Sequence, residues 1–205
     1  MTQTLTRTKR RKERPNTKKA FEEKSFYTIE DLEERQNETK KNHHLIKGKL
    51  VELMPAGDLH GYTASTINII IGGFVRRHDL GLTYAAETGF IVSRIPEKQT
   101  VMGADFAFIS KERLPKQMKK KGYGEMIPDF VVEVQSPNDS LNEVLIKISE
   151  WIAGGVKLVW LVNPETETIT TFNQHGEVKT FTGKQKITGE EVIKKFGIET
   201  GSFFE

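Results

Sequence analysis

Cysteine is missing from all 205 residues, which excludes a disulfide framework, a zinc–thiolate centre and thiol nucleophilic catalysis. Long apolar runs are also missing. The longest, Ile67 to Val75, falls well short of the roughly 20 residues a membrane-spanning helix needs. No apolar segment follows the basic amino-terminal stretch, so it does not read as a secretion signal. The pair Arg10-Arg11 fails as a twin-arginine export signal for the same reason. A reducing cytoplasm is the expected compartment. No internal repeat is present.

What the chain does hold is a hydrophobic fraction of 36% and a charged fraction of 29%, the balance of a water-soluble globular fold. Folding at this length buries roughly 70% of the unfolded surface, enough for a core without metal or disulfide support. The formal charge of +3 is unevenly spread. Residues 1–24 carry nine Lys/Arg and three acids, a net +6, which leaves −3 for residues 25–205. The sequence therefore predicts a basic, disordered tail over 1–24 and one domain over 25–205. The run Arg7-Thr-Lys-Arg-Arg-Lys-Glu-Arg14 suits a polyanion, by releasing counterions from phosphate, or simply a solubilising extension.

The spacing predicts a short helix over Tyr27 to Arg35, capped at Thr28, and a hairpin over His44 to Met54 turning at Lys47-Gly48. Pro55 to Gly61 reads as a loop. A helix follows, with Ile67, Ile70, Ile71, Phe74 and Val75 on one face. Thr83 to Val92, Val101 to Ile109, Pro128 to Ser136, Lys157 to Val162, Glu167 to Asn173 and Val178 to Phe181 read as strands. Lys111 to Glu125 reads as a mobile, Lys-rich insertion. A further helix over Leu141 to Ala153 has a capping box at Ser140 and Glu143 and a stop at Gly154-Gly155. This order predicts an α/β fold, a mixed sheet flanked by helices.

The informative segment is Pro128-Asp-Phe-Val-Val-Glu-Val-Gln-Ser-Pro137. Strand alternation puts Phe130, Val132 and Val134 on one face and Asp129, Val131, Glu133 and Gln135 on the other. Glu133 thus lies inside an otherwise apolar run, where an unpaired carboxylate costs several kcal/mol. It needs a cation, a donor set or a raised pKa. Asp105 is equally out of place within Val101-Met-Gly-Ala-Asp-Phe-Ala-Phe-Ile109. If the two strands pair, the carboxylates share a face and repel unless a divalent ion lies between them. Oxygen ligands suit Mg²⁺, with Mn²⁺ as substitute. Taken singly, each acid is equally well a cap or an ion-pair partner. Asp129, just after Pro128, is explained by turn chemistry. Lys147 borders the buried stripe of its helix, from where a long stem can carry its ammonium to the strand end or merely to solvent.

Together, Gly103-Ala-Asp-Phe-Ala-Phe108, the 128–137 segment, Lys147 and Gly155-Val-Lys-Leu-Val-Trp-Leu-Val-Asn-Pro164 resemble the Uma-two family of the PD-(D/E)XK nuclease superfamily. Glu87-Thr-Gly-Phe90 and His60-Gly61 extend the likeness, which spans roughly residues 26 to 204. The resemblance implies a restriction-endonuclease-like fold and Mg²⁺-dependent cleavage of phosphodiester bonds. By it, Asp105 and Glu133 match the metal-binding acids and Lys147 a catalytic lysine displaced onto the following helix. Gln135 stands where that lysine usually lies. His60 matches a histidine near the site, with no assigned role. Two departures stand out. Ala104 replaces a proline, and the acids usual near the first hairpin give way to His43-His44-Leu and Lys47-Gly-Lys49.

The expected function is hydrolysis of nucleic acid, double-stranded DNA foremost, by a homodimer. Asp105 and Glu133, with the Val134 carbonyl, would hold the metal. Lys147 would orient water or neutralise charge, and Gln135 would hydrogen-bond water or phosphate. The tail, Arg76, Arg77 and the cluster from Lys116 to Lys121, including Lys119 and Lys120, would contact backbone phosphates. The alternative is a catalytically silent nucleic-acid-binding protein on the same scaffold, favoured by the lost acids. A small-molecule hydrolase is a third reading, weakened by the lack of an aromatic sugar platform near the acids.

Overall fold

The computed structural model describes residues 23–205, except 87, 115, 119 and 138. The predicted basic tail, apart from residues 23 and 24, and Lys119 lie outside the described residues.

Helix α1 spans Ile29–Thr39. Thr28 caps it, accepting from the Asp31 N–H while Asp31 returns the bond to the Thr28 N–H at 2.8 Å, so two orphan donors of the first turn are satisfied. Leu32 anchors it in the interior. Strands β1 (His43–Ile46) and β2 (Lys49–Glu52) form the expected hairpin. Lys47 and Gly48 both have positive φ, 51° and 73°, the two-residue turn whose twist suits a hairpin.

Helix α2 runs Asp58–Ile67 and continues through a π-helical turn, Asn68–Gly72, into α3, Gly73–Arg77. The expected loop is therefore shorter than 55–61, and His60 lies in a helical first turn. Its N-cap, Gly57, offers no side-chain bond, so no capping residue marks the start in the sequence. Ile67, Ile71 and Val75 recur every four residues on the buried face, and the π turn keeps them there.

Two segments predicted as single strands are each split. The span 83–92 falls across β3 (Gly81–Ala85) and β4 (Gly89–Ser93), and the span 101–109 across β5 (Thr100–Gly103) and β6 (Phe106–Ser110). In each case the two halves join different sheets. A chain that crosses between sheets stays apolar throughout, because both halves face a core, and hydrophobicity alone hides the break. Asp105 sits in the second break.

After β7 (Phe130–Val134) come α4 (Leu141–Ala153), β8 (Leu158–Asn163), β9 (Thr168–Asn173) and β10 (Val178–Thr182). A final pair, β11 (Lys186–Gly189) and β12 (Ile193–Glu199), lies beyond the last strand read in the sequence. The largest sheet has the order β10-β9-β8-β7-β6-β3, and a smaller one β2-β1-β5-β4. Among the described residues, β7 and β8 are the one parallel pair of the large sheet, and α4 is their crossover, as a parallel pair requires.

Both faces of the large sheet are covered. On one, Phe106, Phe130, Val132 and Trp160 pack with Ile67, Ile71, Val75 and Phe203. On the other, Ala107, Val131 and Val159 pack with Val144, Ile148 and Trp151 of α4. Central strand β7 is buried along its whole length, and its alternation divides the faces as the sequence indicated.

Candidate active site

Strand β7 delivers Glu133 to the α4 side, where it is only 4% exposed. Both its oxygens are engaged. Lys147 Nζ donates to Oε2 at 2.9 Å and Trp151 Nε1 donates to Oε1 at 2.7 Å. The two donors are one helical turn apart on α4, so they share a face. Burial pushes the Glu133 carboxyl upward, against the pull of the Lys147 charge, and the nearby Asp105 charge pushes the same way. The Glu133 charge in turn raises the Lys147 pKa despite burial, so the ammonium stays charged.

Asp105 comes from the break between β5 and β6. Strands β6 and β7 pair with Phe106 opposite Val132, which brings Asp105 to the end of β7. Its Oδ2 accepts from the Val134 N–H at 2.7 Å. His60 Nε2 stands 3.4 Å from the same oxygen. That hydrogen bond raises the His60 pKa, against its burial, and the Asp105 charge and the Val134 backbone add to the rise. His60 Nδ1 is buried without a partner among the described residues.

The first hairpin adds a residue that sequence reasoning treated only as a departure. His44 of β1 is 8% exposed, and its Nε2 accepts from the Gly103 N–H at 2.9 Å, two residues before Asp105. Burial, with the Lys147 charge, lowers its pKa to about 3, while the Asp105 charge opposes the fall. Trp151 was also missed. The signal was there: a buried Glu133 needs donors, and Trp151 follows Lys147 by four residues. Lys47, in place of an acid, pairs with Glu150 at 2.8 Å, so it braces the hairpin turn against α4.

Gln135 does not join the carboxylates by any hydrogen bond among the described residues. Its Oε1 accepts from Asn163 Nδ2 at 3.1 Å. Asp129 is structural, as its turn position suggested. Its Oδ1 takes Arg113 at 2.8 Å and Lys157 at 2.7 Å, and its Oδ2 accepts from the Ser110 N–H. Arg76 and Arg77 end α3 and are exposed. Sixteen residues along the helical run from His60, they lie roughly 24 Å away at 1.5 Å per residue. Lys120 and Lys121 are exposed, but the insertion carrying them is tied down at its end. Gly124 exchanges bonds of 2.8 Å with the backbone of Gly89 and Ile91, and Tyr123 Oη donates to Gln36.

For a divalent ion the donors are oxygens: the Asp105 and Glu133 carboxylates and the Val134 carbonyl, beside His60. No cluster of three or more His, Asp or Glu suited to a metal occurs among the described residues. The residues fit a hard cation bound by two carboxylates and water. The two acids are close enough for the Asp105 charge to raise the Glu133 pKa, a repulsion that a bound cation would relieve.

A mixed sheet flanked by helices, with its parallel pair bridged by α4, is a restriction-endonuclease-like fold. A crystal structure of a "putative nuclease" of the family DUF820 from Anabaena variabilis has the same fold, with TM-score 0.70 and 19% identity, covering 84% of this chain and 96% of that one. No curated protein matches. Residues 28–201 match the Uma2 family, described as "Putative restriction endonuclease". The chain belongs to that family.

Proposed function

We propose that this chain is an endonuclease that hydrolyses phosphodiester bonds of nucleic acid, double-stranded DNA foremost, using Mg²⁺. The observation that carries the reading is the convergence of Asp105 and Glu133 at the end of one strand pair, with Lys147 on Glu133. A divalent ion held by Asp105, Glu133 and the Val134 carbonyl would supply charge on a non-bridging phosphate oxygen and lower the pKa of the attacking water. The chain's own groups do the rest. The Val134 N–H fixes the Asp105 carboxylate, and Trp151 fixes that of Glu133. Lys147, still an ammonium, turns from Glu133 towards the phosphate and offsets charge that builds there as water adds to phosphorus. Gln135 lies two residues past Glu133, just beyond the end of β7, and offers its amide N–H to water or phosphate.

The reading extends to a cytoplasmic homodimer whose exposed Arg76, Arg77, Lys120 and Lys121 contact backbone phosphates, since duplex chemistry is commonly shared across a two-fold axis. A second reading, a silent DNA-binding relative, is favoured by the full engagement of both Glu133 oxygens. Calorimetric titration with Mn²⁺ separates the two. A nuclease binds the ion and loses it in Asp105→Asn, whereas a silent relative binds DNA with an affinity that Mn²⁺ leaves unchanged.

A further inference from the structure

The His44 side chain has one nitrogen accounted for and one that is not. Its Nε2 accepts from a backbone N–H, that of Gly103. A nitrogen that accepts carries a lone pair, so the ring's hydrogen must be on Nδ1. That assignment follows from the amide donor alone. Nδ1 is buried and has no partner among the described residues. A buried donor left unmade costs about 1–3 kcal/mol, and native proteins keep few of them except where a ligand or water completes the bond.

Its location gives the orphan a meaning. The ring sits on the main chain two residues before Asp105, and the charges of Lys147 and Asp105 both bear on it. Strand β1 carries it, and its neighbour Leu45 is fully buried and pairs with Val101 of β5. Both sides of the ring's anchorage, β1 and β5, are thus rigid sheet. A ring fixed through one nitrogen by the backbone holds its other N–H in a set direction, and preorganised donors of that kind stabilise a developing oxyanion.

We infer that His44 donates its Nδ1–H to a phosphate oxygen of the substrate, as a fixed neutral donor that complements the Lys147 cation. This rests on the phosphodiesterase reading and names a further catalytic residue within it. The chemistry recognised is a phosphodiester oxygen, and no proton is transferred by His44 in the step.

Two substitutions separate the ring's two nitrogens. In His44→Gln the amide oxygen reaches the Nε2 position and still accepts from Gly103, but the Nδ1 donor is gone. In His44→Asn the amide nitrogen takes the Nδ1 position while the Gly103 N–H loses its acceptor. The expected pattern is crossed. H44Q keeps its melting midpoint and loses kcat by about 100-fold, the scale for removing one oxyanion donor. H44N melts lower and retains more kcat than H44Q. A role confined to packing would make the less stable variant the less active one, which would overturn the inference.

A second readout needs no activity. In full-length protein with ¹⁵N-labelled histidine, free of metal, titration with dimethyl phosphate should shift the His44 Nδ1–H resonance, and Asp105→Asn should leave that shift in place. An Nδ1–H that does not respond, with wild-type cleavage intact and H44Q equally fast, overturns this inference and spares the nuclease reading. Absence of wild-type cleavage with the Nδ1–H shift present overturns the nuclease reading alone.

Discussion

Lys147 of α4 and Glu133 of β7 meet at 2.9 Å across the interface between helix and sheet, with the lysine side chain 25% exposed and the glutamate 6%. The pair joins the crossover helix to the central strand. Removing one partner of a buried pair strands the other charge. Lys147→Met should therefore cost about 3 kcal/mol in urea unfolding. Combined with Glu133→Gln it should cost less than the sum of the single changes, by about 1–3 kcal/mol in a double-mutant cycle. Additive losses would show that the contact contributes nothing.

Trp151→Phe tests the other Glu133 oxygen. The change preserves most of the ring's packing and deletes the Nε1–H at Oε1. The expected loss is about 1–3 kcal/mol for the unsatisfied acceptor. Cleavage should fall in step with the loosened carboxylate, measured as kcat with Mg²⁺.

Asp129 governs acid sensitivity away from the site. Burial would raise its carboxyl, but the bonds from Lys157, the Ser110 N–H and Arg113 more than offset this and hold it below the usual value of 3.8. A depressed folded-state pKa means the unfolded chain binds the proton more readily. The Asp129 contribution is then complete above pH 3.8 and is lost as pH falls through the lower folded value. Asp129→Asn should lose about 1–3 kcal/mol at neutral pH, the partners being partly solvated. Its stability should also fall less steeply than wild type below pH 4. Equal slopes would contradict this assignment.

Gly48 holds the first hairpin turn at φ +73°, and a Cβ there would lie 2.8 Å from the Glu97 carbonyl oxygen. Gly48→Ala should destabilise by about 1–2 kcal/mol from the left-handed conformation alone, and more from the contact. Thermal melting reads it directly.

The elements most legible in the sequence were those with local chemical punctuation. Helix α4 has the bounds expected of it because Ser140 and Glu143 cap it and Gly154 stops it. Helix α2 starts earlier than expected because Gly57 gives no such mark. The breaks between β3 and β4 and between β5 and β6 leave no mark in the sequence, since both halves of each segment are apolar. Strands β11 and β12 were overlooked, for their alternation is short and polar-rich. In the site, the anomaly of acids in apolar strands pointed to Asp105 and Glu133. Nothing local marked His44, whose tie to Gly103 spans 59 residues of sequence. The family resemblance placed His60 near the site, but its approach to Asp105 depends on how α2 packs over β7.

Cleavage of duplex DNA by Asp105→Asn, compared with wild type in Mg²⁺, tests the central claim most directly. Asp105 is exposed enough, at 17%, for the neutral isostere to fold. Wild type should cleave, and the variant should lose at least about 100-fold in rate at an unchanged melting midpoint. Cleavage at the wild-type rate by the variant would contradict that claim.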